Sequence, residues 1–396
     1  MRRLVIIRRH IRRAAFGCCL ALVVALIPML NSCYIEPPLR LPGEDVVIEV
    51  PMVLQELDVV WEIDVSWKAH WIYGWDDEDS ALWGPITYPE PTNFEIRRYF
   101  LGAEPSVPHS EVDAFTIWEP RFQKKFNFGY YDILVWSNID SEDHTQVLII
   151  NEKDLDNVIA TTSTQSAKLY GPSSSSKLYN QPEIFYSAIE KDIHITNDPK
   201  DYDYYDEENN VWVMKLEATL QPLVYIYLVQ VVLHNNKGRV TGVPEYCAIT
   251  GLSRQVNVTT AQTGLADITV LFGMRLKKDL YKGSELVDVL GGKLTTFGLC
   301  GMDPWQSSRG ASYKGSRADV DNDFAVSMRF ANGADSTYYY NVTDQFQRQC
   351  HGGLITIDID VDSLKIPTNT NPSGGGSGFD PKVEEYGDTI VHDIVM

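Results

Sequence analysis

The sequence predicts an all-β protein, with two β-sandwich domains in tandem behind an N-terminal export segment. Three observations predict it. Residues 59–75 alternate with period two: Val59, Trp61, Ile63, Val65, Trp67, Ala69, Trp71, Tyr73 and Trp75 fall on one side, and Glu62, Asp64, Ser66, Lys68 and His70 on the other. Short runs rich in β-branched and aromatic residues then recur along the chain, separated by Gly, Pro and Asn. No long stretch carries helical spacing.

The chain opens on Arg2, Arg3, Arg8, Arg9, Arg12 and Arg13, with no acid before Cys33. An apolar run over 14–30 follows and closes at Leu30-Asn31-Ser32-Cys33. This is the layout of a secretory signal, similar to a bacterial lipoprotein signal in which the cysteine is acylated and residues 1–32 are removed. The alternative is an uncleaved anchor helix, disfavoured because the run is short of ~20 residues and broken by Pro28. Cys33 is therefore the expected lipidation site, attaching the protein to a membrane through lipid rather than through a spanning helix.

Residues 33–45, with Pro37, Pro38 and Pro42, read as an extended tether. The first sandwich is expected over 46–196. It comprises the 59–75 stretch, a solvated turn at Asp76-Asp77-Glu78-Asp79, and strands near 94–101, 114–118, 130–136 and 146–150. Six acids and three tyrosines between 197 and 210 mark an acidic linker unable to bury apolar surface. The second sandwich is expected over 211–396. Its strands fall near 212–220, 223–233, 266–274, 293–299, 325–330, 337–342 and 355–361, followed by a glycine-rich hinge at 371–378 and a last strand at 389–395. Residues 223–233 are almost continuously apolar, but Val, Ile and Tyr dominate, which favours strand over helix.

The net charge of −20 becomes more negative once the six leader arginines leave. Such a surface repels phosphate backbones, so no nucleic-acid partner is expected. Three cysteines remain besides the leader and Cys33: Cys247, Cys300 and Cys350, too far apart in sequence for a thiolate metal site. Cys300 reads as a small buried side chain rather than a nucleophile. No hydrolase motif and no base–nucleophile pairing is legible, and no catalytic residue, metal or cofactor is expected. Asp319-Val320-Asp321-Asn322-Asp323 carries alternate acids, but Phe324 and Phe330 stand where an EF-hand needs Gly and Glu. Asp358, Asp360 and Asp362 read as the solvent face of a strand. The tryptophans invite a glycan-binding reading. Those of 61–75 share the apolar side and are assigned to the core, leaving Trp83, in a Gly-Pro loop, as the candidate ligand-binding residue.

Several segments resemble an uncharacterised family of Bacteroides lipoproteins related to the fimbrillins and minor fimbrial anchor proteins. They are Val65-Ser66-Trp67, Gly129-Tyr130-Tyr131-Asp132-Ile133-Leu134-Val135 with Asn138, and Leu220-Gln221-Pro222-Leu223-Val224-Tyr225. Ala248-Ile249-Thr250-Gly251-Leu252, Thr296-Phe297-Gly298, Asn341-Val342-Thr343-Asp344-Gln345 and Ile366-Pro367 complete the set. The resemblance implies transthyretin-like sandwiches and a lipid-anchored place in the outer membrane. It also implies a non-enzymatic role in a fimbrial or adhesive assembly, with fimbrial subunits joined by strand addition at an open sheet edge. A glycan-binding lipoprotein of a polysaccharide uptake system is the alternative. The cell surface is the expected side of the membrane, although Glu36 is the one acid close behind Cys33, so the periplasmic face stays open.

Overall fold

A computed structural model describes residues 45–54, 70–102, 110–137, 147–169, 177–244, 246–303 and 320–368. The expected leader, Cys33, most of the tether, residues 55–69, Asp319, the glycine hinge and the terminal strand lie outside these residues. The described chain is all-β, with two short helices. Its first half runs β1 (Asp45–Leu54), α1 (Asp77–Trp83), β2 (Phe94–Gly102), β3 (Ser110–Ile117), β4 (Arg121–Phe126) and β5 (Gly129–Ser137). β6 (Val147–Ile150), β7 (Ile159–Thr162), β8 (Thr164–Leu169), β9 (Lys177–Tyr179), β10 (Tyr186–Ile195) and β11 (Tyr204–Asp206) follow. The second half holds β12 (Val211–Lys215), β13 (Ala218–Pro222), β14 (Tyr225–His234), β15 (Val240–Gly242), β16 (Cys247–Ser253), β17 (Gln255–Asn257) and β18 (Asp267–Phe272). It ends with β19 (Met274–Lys282), β20 (Glu285–Thr296), β21 (Asp323–Phe330), β22 (Asp335–Asn341), α2 (Thr343–Arg348) and β23 (Gly353–Asp360).

The largest sheet has the order β11-β12-β1-β13-β10-β5-β2-β3, with β4 also paired to β1. β5 explains its two-sided burial. Tyr131, Ile133 and Val135 enter one core, whereas Leu134 and Trp136 enter another, beneath the small sheet β17-β7-β6. Alternate side chains of a strand point to opposite faces, so a strand covered on both sides must be apolar at nearly every position. A third core lies between the sheet β19-β20-β14-β23 and the sheet β15-β21-β16-β18-β9-β8, to which β22 adds. β14 is buried on both faces in the same way, which accounts for its almost continuously apolar sequence: Tyr227, Val229, Val231 and Leu233 face this core, while Val232 faces outward beneath Tyr73.

Strands exchange across the expected boundary: β9 pairs in parallel with β18, and β17 pairs with β7. The acidic run is not an unstructured linker. Asp198 accepts a hydrogen bond from Lys200 N, Tyr202 Oη donates to Thr196 O at 2.5 Å, and β11 pairs with β12. The correction has a simple cause: the run's tyrosines supply the apolar face that its acids lack, Tyr205 packing 4.9 Å from Trp212. The stretch expected as one strand over 212–220 is two strands, β12 and β13, which pair with successive parts of β1.

Candidate functional site

Residues 70–83 were expected to begin as strand and continue as a solvated turn. Instead they form a strap laid across the outer face of the β19-β20-β14-β23 sheet. Gln230 of β14 points out of that sheet, accepts from Ile72 N at 2.9 Å, and donates to His70 O at 2.6 Å and to Thr356 Oγ1 at 3.0 Å. One fully buried amide thus supplies the pairing that the strap's backbone would otherwise lack. Tyr73, 2% exposed, lies flat on Gly291 of β20. A Cβ there would come 2.2 Å from the ring, so only glycine admits the contact. Trp71 and Trp75 flank Tyr73 edge-on at 5.6 and 6.5 Å, in keeping with the core assignment of these two tryptophans.

The acidic tetrapeptide is the start of α1 rather than a turn. Asp76 is the N-cap, its side chain accepting from Asp79 N while the Asp79 side chain accepts from Asp76 N. This reciprocal pair satisfies two helix-end donors, and acids suit the positive end of the helix. Asp79 is fully buried. It accepts from Tyr73 Oη at 2.6 Å and pairs with Lys277 at 2.7 Å and Arg275 at 3.0 Å, both on β19. Asp76 meets the same two cations, and Glu78 also pairs with Arg275. Burial, with help from the Asp79 carboxylate, pushes the Tyr73 hydroxyl well above its ordinary value, so it stays a donor. Hydrogen bonds from Lys277 and the Asp79 backbone hold Asp76 well below the usual carboxylate range.

Trp83, expected to be exposed in a loop, is the last residue of α1 and is half-buried. Its indole edge rests on Gly273, where a Cβ would come 2.7 Å from Nε1, and Trp75 lies 5.8 Å away. Trp83 also lines a cleft of about 540 Å³, shared with Glu90, Asn93, Gln181, Glu183, Lys293 and Thr295 among others. The walls are tied together. Gln181 Oε1 accepts from Thr295 N at 2.8 Å, Thr295 Oγ1 donates to Pro182 O at 2.7 Å, and Tyr186 Oη donates to Pro89 O at 2.5 Å. Lys293 Nζ donates to Pro85 O at 2.8 Å and forms no ion pair among the described residues. Burial lowers this lysine to about 8.

Sequence reading singled out Trp83 but not Lys293 or the Asp79–Arg275–Lys277 group. The usable signal was Gly291-Gly292-Lys293: two glycines within a strand mark close approach by another segment, and the cation beside them stands in an otherwise apolar stretch. Cys33 lies outside the described residues. Cys247, Cys300 and Cys350 are buried free thiols. Asp358, Asp360 and Asp362 are exposed. Among the described residues no group of three or more His, Cys, Asp or Glu is arranged to hold a metal, and no helix is long and apolar enough to cross a membrane.

No family model matches the sequence, and no curated protein matches it. Solved structures do resemble the fold. A candidate adhesin from Bacteroides ovatus matches with a TM-score of 0.45 at 12% identity, over 79% of this chain and 92% of that one. The fimbrial anchor protein Mfa2 from Porphyromonas gingivalis matches with a TM-score of 0.38 at 12% identity, over 79% of this chain and 90% of that one. A fimbrial assembly protein from Parabacteroides distasonis matches with a TM-score of 0.31 at 8% identity, over 79% of this chain and 89% of that one.

Proposed function

We propose that this chain is a non-enzymatic, lipid-anchored cell-envelope protein, a fimbrial anchor or adhesion component that joins its partners by β-strand pairing. The placement of β1 carries the reading. β1 is the first described strand after the proline tether, and it is internal to its sheet. It pairs with β4 from Val46↔Phe126 to Pro51↔Arg121 on one side, and with β12 and then β13 on the other. Tension entering from Cys33 runs along β1 and must shear both rows of hydrogen bonds together instead of unzipping them one at a time. A chain held at its N-terminus and loaded elsewhere needs that arrangement. β3, β19 and β23 end their sheets and offer edges for an added strand.

The test is co-purification of the full chain carrying Cys33→Ser with a fimbrial subunit from the same cells, together with deletion of residues 389–396. Recovery of a subunit, and altered surface assembly on deletion, are expected. Unchanged fimbriae and no captured subunit would overturn the proposal. A second reading, capture of glycans at the cell surface, is favoured by the position of Trp83 on the cleft. A glycan array separates the two: specific binding lost on Trp83→Ala, with no fimbrial partner, supports capture.

A further inference from the structure

Lys293 stands apart from the other inward-leaning cations of this acidic chain. Arg97, Arg98, Arg275 and Lys277 each have a carboxylate within 3.2 Å, whereas among the described residues Lys293 has only the Pro85 carbonyl. An ammonium half-buried without a counter-ion is poorly solvated, and burial alone accounts for its lowered proton affinity. The cleft around it is within the size range of small-ligand sites and is lined by preformed walls. Trp83 contributes an indole on which a ring can stack. Gln181, which also lines the cleft, spends its carbonyl on Thr295. Glu90 adds an acceptor, and Glu183 a second negative charge.

We propose that this cleft binds a saccharide bearing a carboxylate, a uronic-acid-type residue whose carboxylate meets Lys293 and whose ring lies against Trp83. The inference rests on the glycan reading and sharpens it. The charges of Glu90 and Glu183 decide the class: they repel a dianion such as phosphate, while the Glu90 carboxylate accepts from the hydroxyls of a sugar ring. One negative charge at the lysine, with hydroxyls elsewhere, satisfies both. Glu90 and Glu183 are the other charged groups that line the cleft. Burial lowers Lys293 to about 8, so this ammonium changes charge near that pH.

The experiment is a calorimetric titration of the full chain with glucuronic and galacturonic acid and their short oligomers, with the matching neutral sugars, and with inorganic phosphate. Uronates are expected to bind at least tenfold more tightly than neutral sugars at pH 6.5, with uptake of protons on binding near pH 8 and a preference that fades above it. Trp83→Ala abolishes binding of both. Lys293→Met removes only the acid preference, and Lys293→Arg keeps that preference while removing its decline with pH, each variant first shown to unfold at the wild-type temperature. Equal binding of neutral and acidic sugars, lost on Trp83→Ala, overturns this inference and leaves the glycan reading standing. Binding of no saccharide overturns both. Phosphate bound as tightly as uronate makes the cleft an anion site and overturns the inference.

Discussion

Replacing Asp79 by alanine removes the centre of the contact between α1 and β19. Its carboxylate accepts from Tyr73 Oη and Asp76 N, and meets Lys277 and Arg275 at 2.7 and 3.0 Å, with no exposure to water. Breaking a buried pair by deleting one partner costs roughly 3–5 kcal/mol when the remaining charge is orphaned. Here it is not orphaned, because Asp76 stays within 2.8 Å of Lys277 and 2.6 Å of Arg275. What is lost outright is two hydrogen bonds to a buried carboxylate, at about 1.5 kcal/mol each. The expected cost is therefore about 3 kcal/mol, at the low end of the range. It should fall first on the strap, since the bonds that hold β19 to β20 are untouched. Native-state hydrogen exchange reads this directly: amides of the strap and of α1 should exchange about 100-fold faster, 1.4 kcal/mol being a tenfold change. Trp71, Trp75 and Trp83 report the same event as a red shift of fluorescence at denaturant concentrations below the main transition. Asp79→Asn keeps an acceptor for Tyr73 and should cost about half as much. A destabilisation under about 1 kcal/mol, or exchange unchanged in the strap, would refute the assignment of Asp79 as its main fastening.

Gly291→Ala places a methyl 2.2 Å from the Tyr73 ring and should destabilise by about 1–3 kcal/mol; in a Tyr73→Ala background the same change should be nearly neutral, which a double-mutant cycle checks. At His234 burial opposes protonation, but Glu285 at Nδ1 and Asp358 at Nε2 outweigh it and raise its pKa. The stability this contributes is complete below the unfolded value of about 6.5 and is lost as pH rises through the higher folded value. Thermal unfolding at pH 5.5 and 8.5 should show a gap between wild type and His234→Gln that closes at the higher pH. Cys247, whose thiol burial pushes up to about 12, and the buried Cys300 and Cys350 should resist thiol reagents until the protein is denatured, and a reductant should leave the unfolding temperature unchanged.

Strands with a clear alternation or a continuous apolar run were legible. β2, β5, β14, β21 and β23 lie where these patterns put them, although β2 itself shifts register between Arg98 and Tyr99. β10 and β16 were not, and in each a bulge interrupts a short pattern. β10 shifts register between Glu190 and Ile193, with Asp192 at φ 58°, and β16 shifts between Ile249 and Leu252, with Gly251 at φ 75°. A bulge moves later side chains to the other face and breaks the period on which recognition depends. The acids of 76–79 were misread for a different reason. A run of like charge is solvated unless cations come to it, and here the cations arrive from β19, nearly two hundred residues later in the sequence. Trp83 was legible as a binding candidate from residue type, but its cleft was not, since the walls come from three separated segments.

The strap and the cleft are one construction. Trp83 is the last turn of the helix that Asp79 seats, and Gly84, at φ 71°, turns the chain immediately so that the Pro85 carbonyl reaches Lys293. A side chain at residue 84 would be strained by that φ, although its Cβ would only touch the Lys293 ammonium, at 3.5 Å. The indole and the cation therefore face one cleft only while α1 is docked on β19. The floor of the cleft, β20, is in turn held by β14, whose Gln230 fixes the start of the strap. The N-terminal half of the chain is consequently fastened twice, by β1 inside the large sheet and by residues 70–83 across the outer face of another. On the anchoring proposed above, force entering at the N-terminus meets both fastenings. The first resists in shear along hydrogen-bonded strands, whereas the second depends on one buried carboxylate and two glycine contacts. The second should yield first, opening the cleft before the sheets separate.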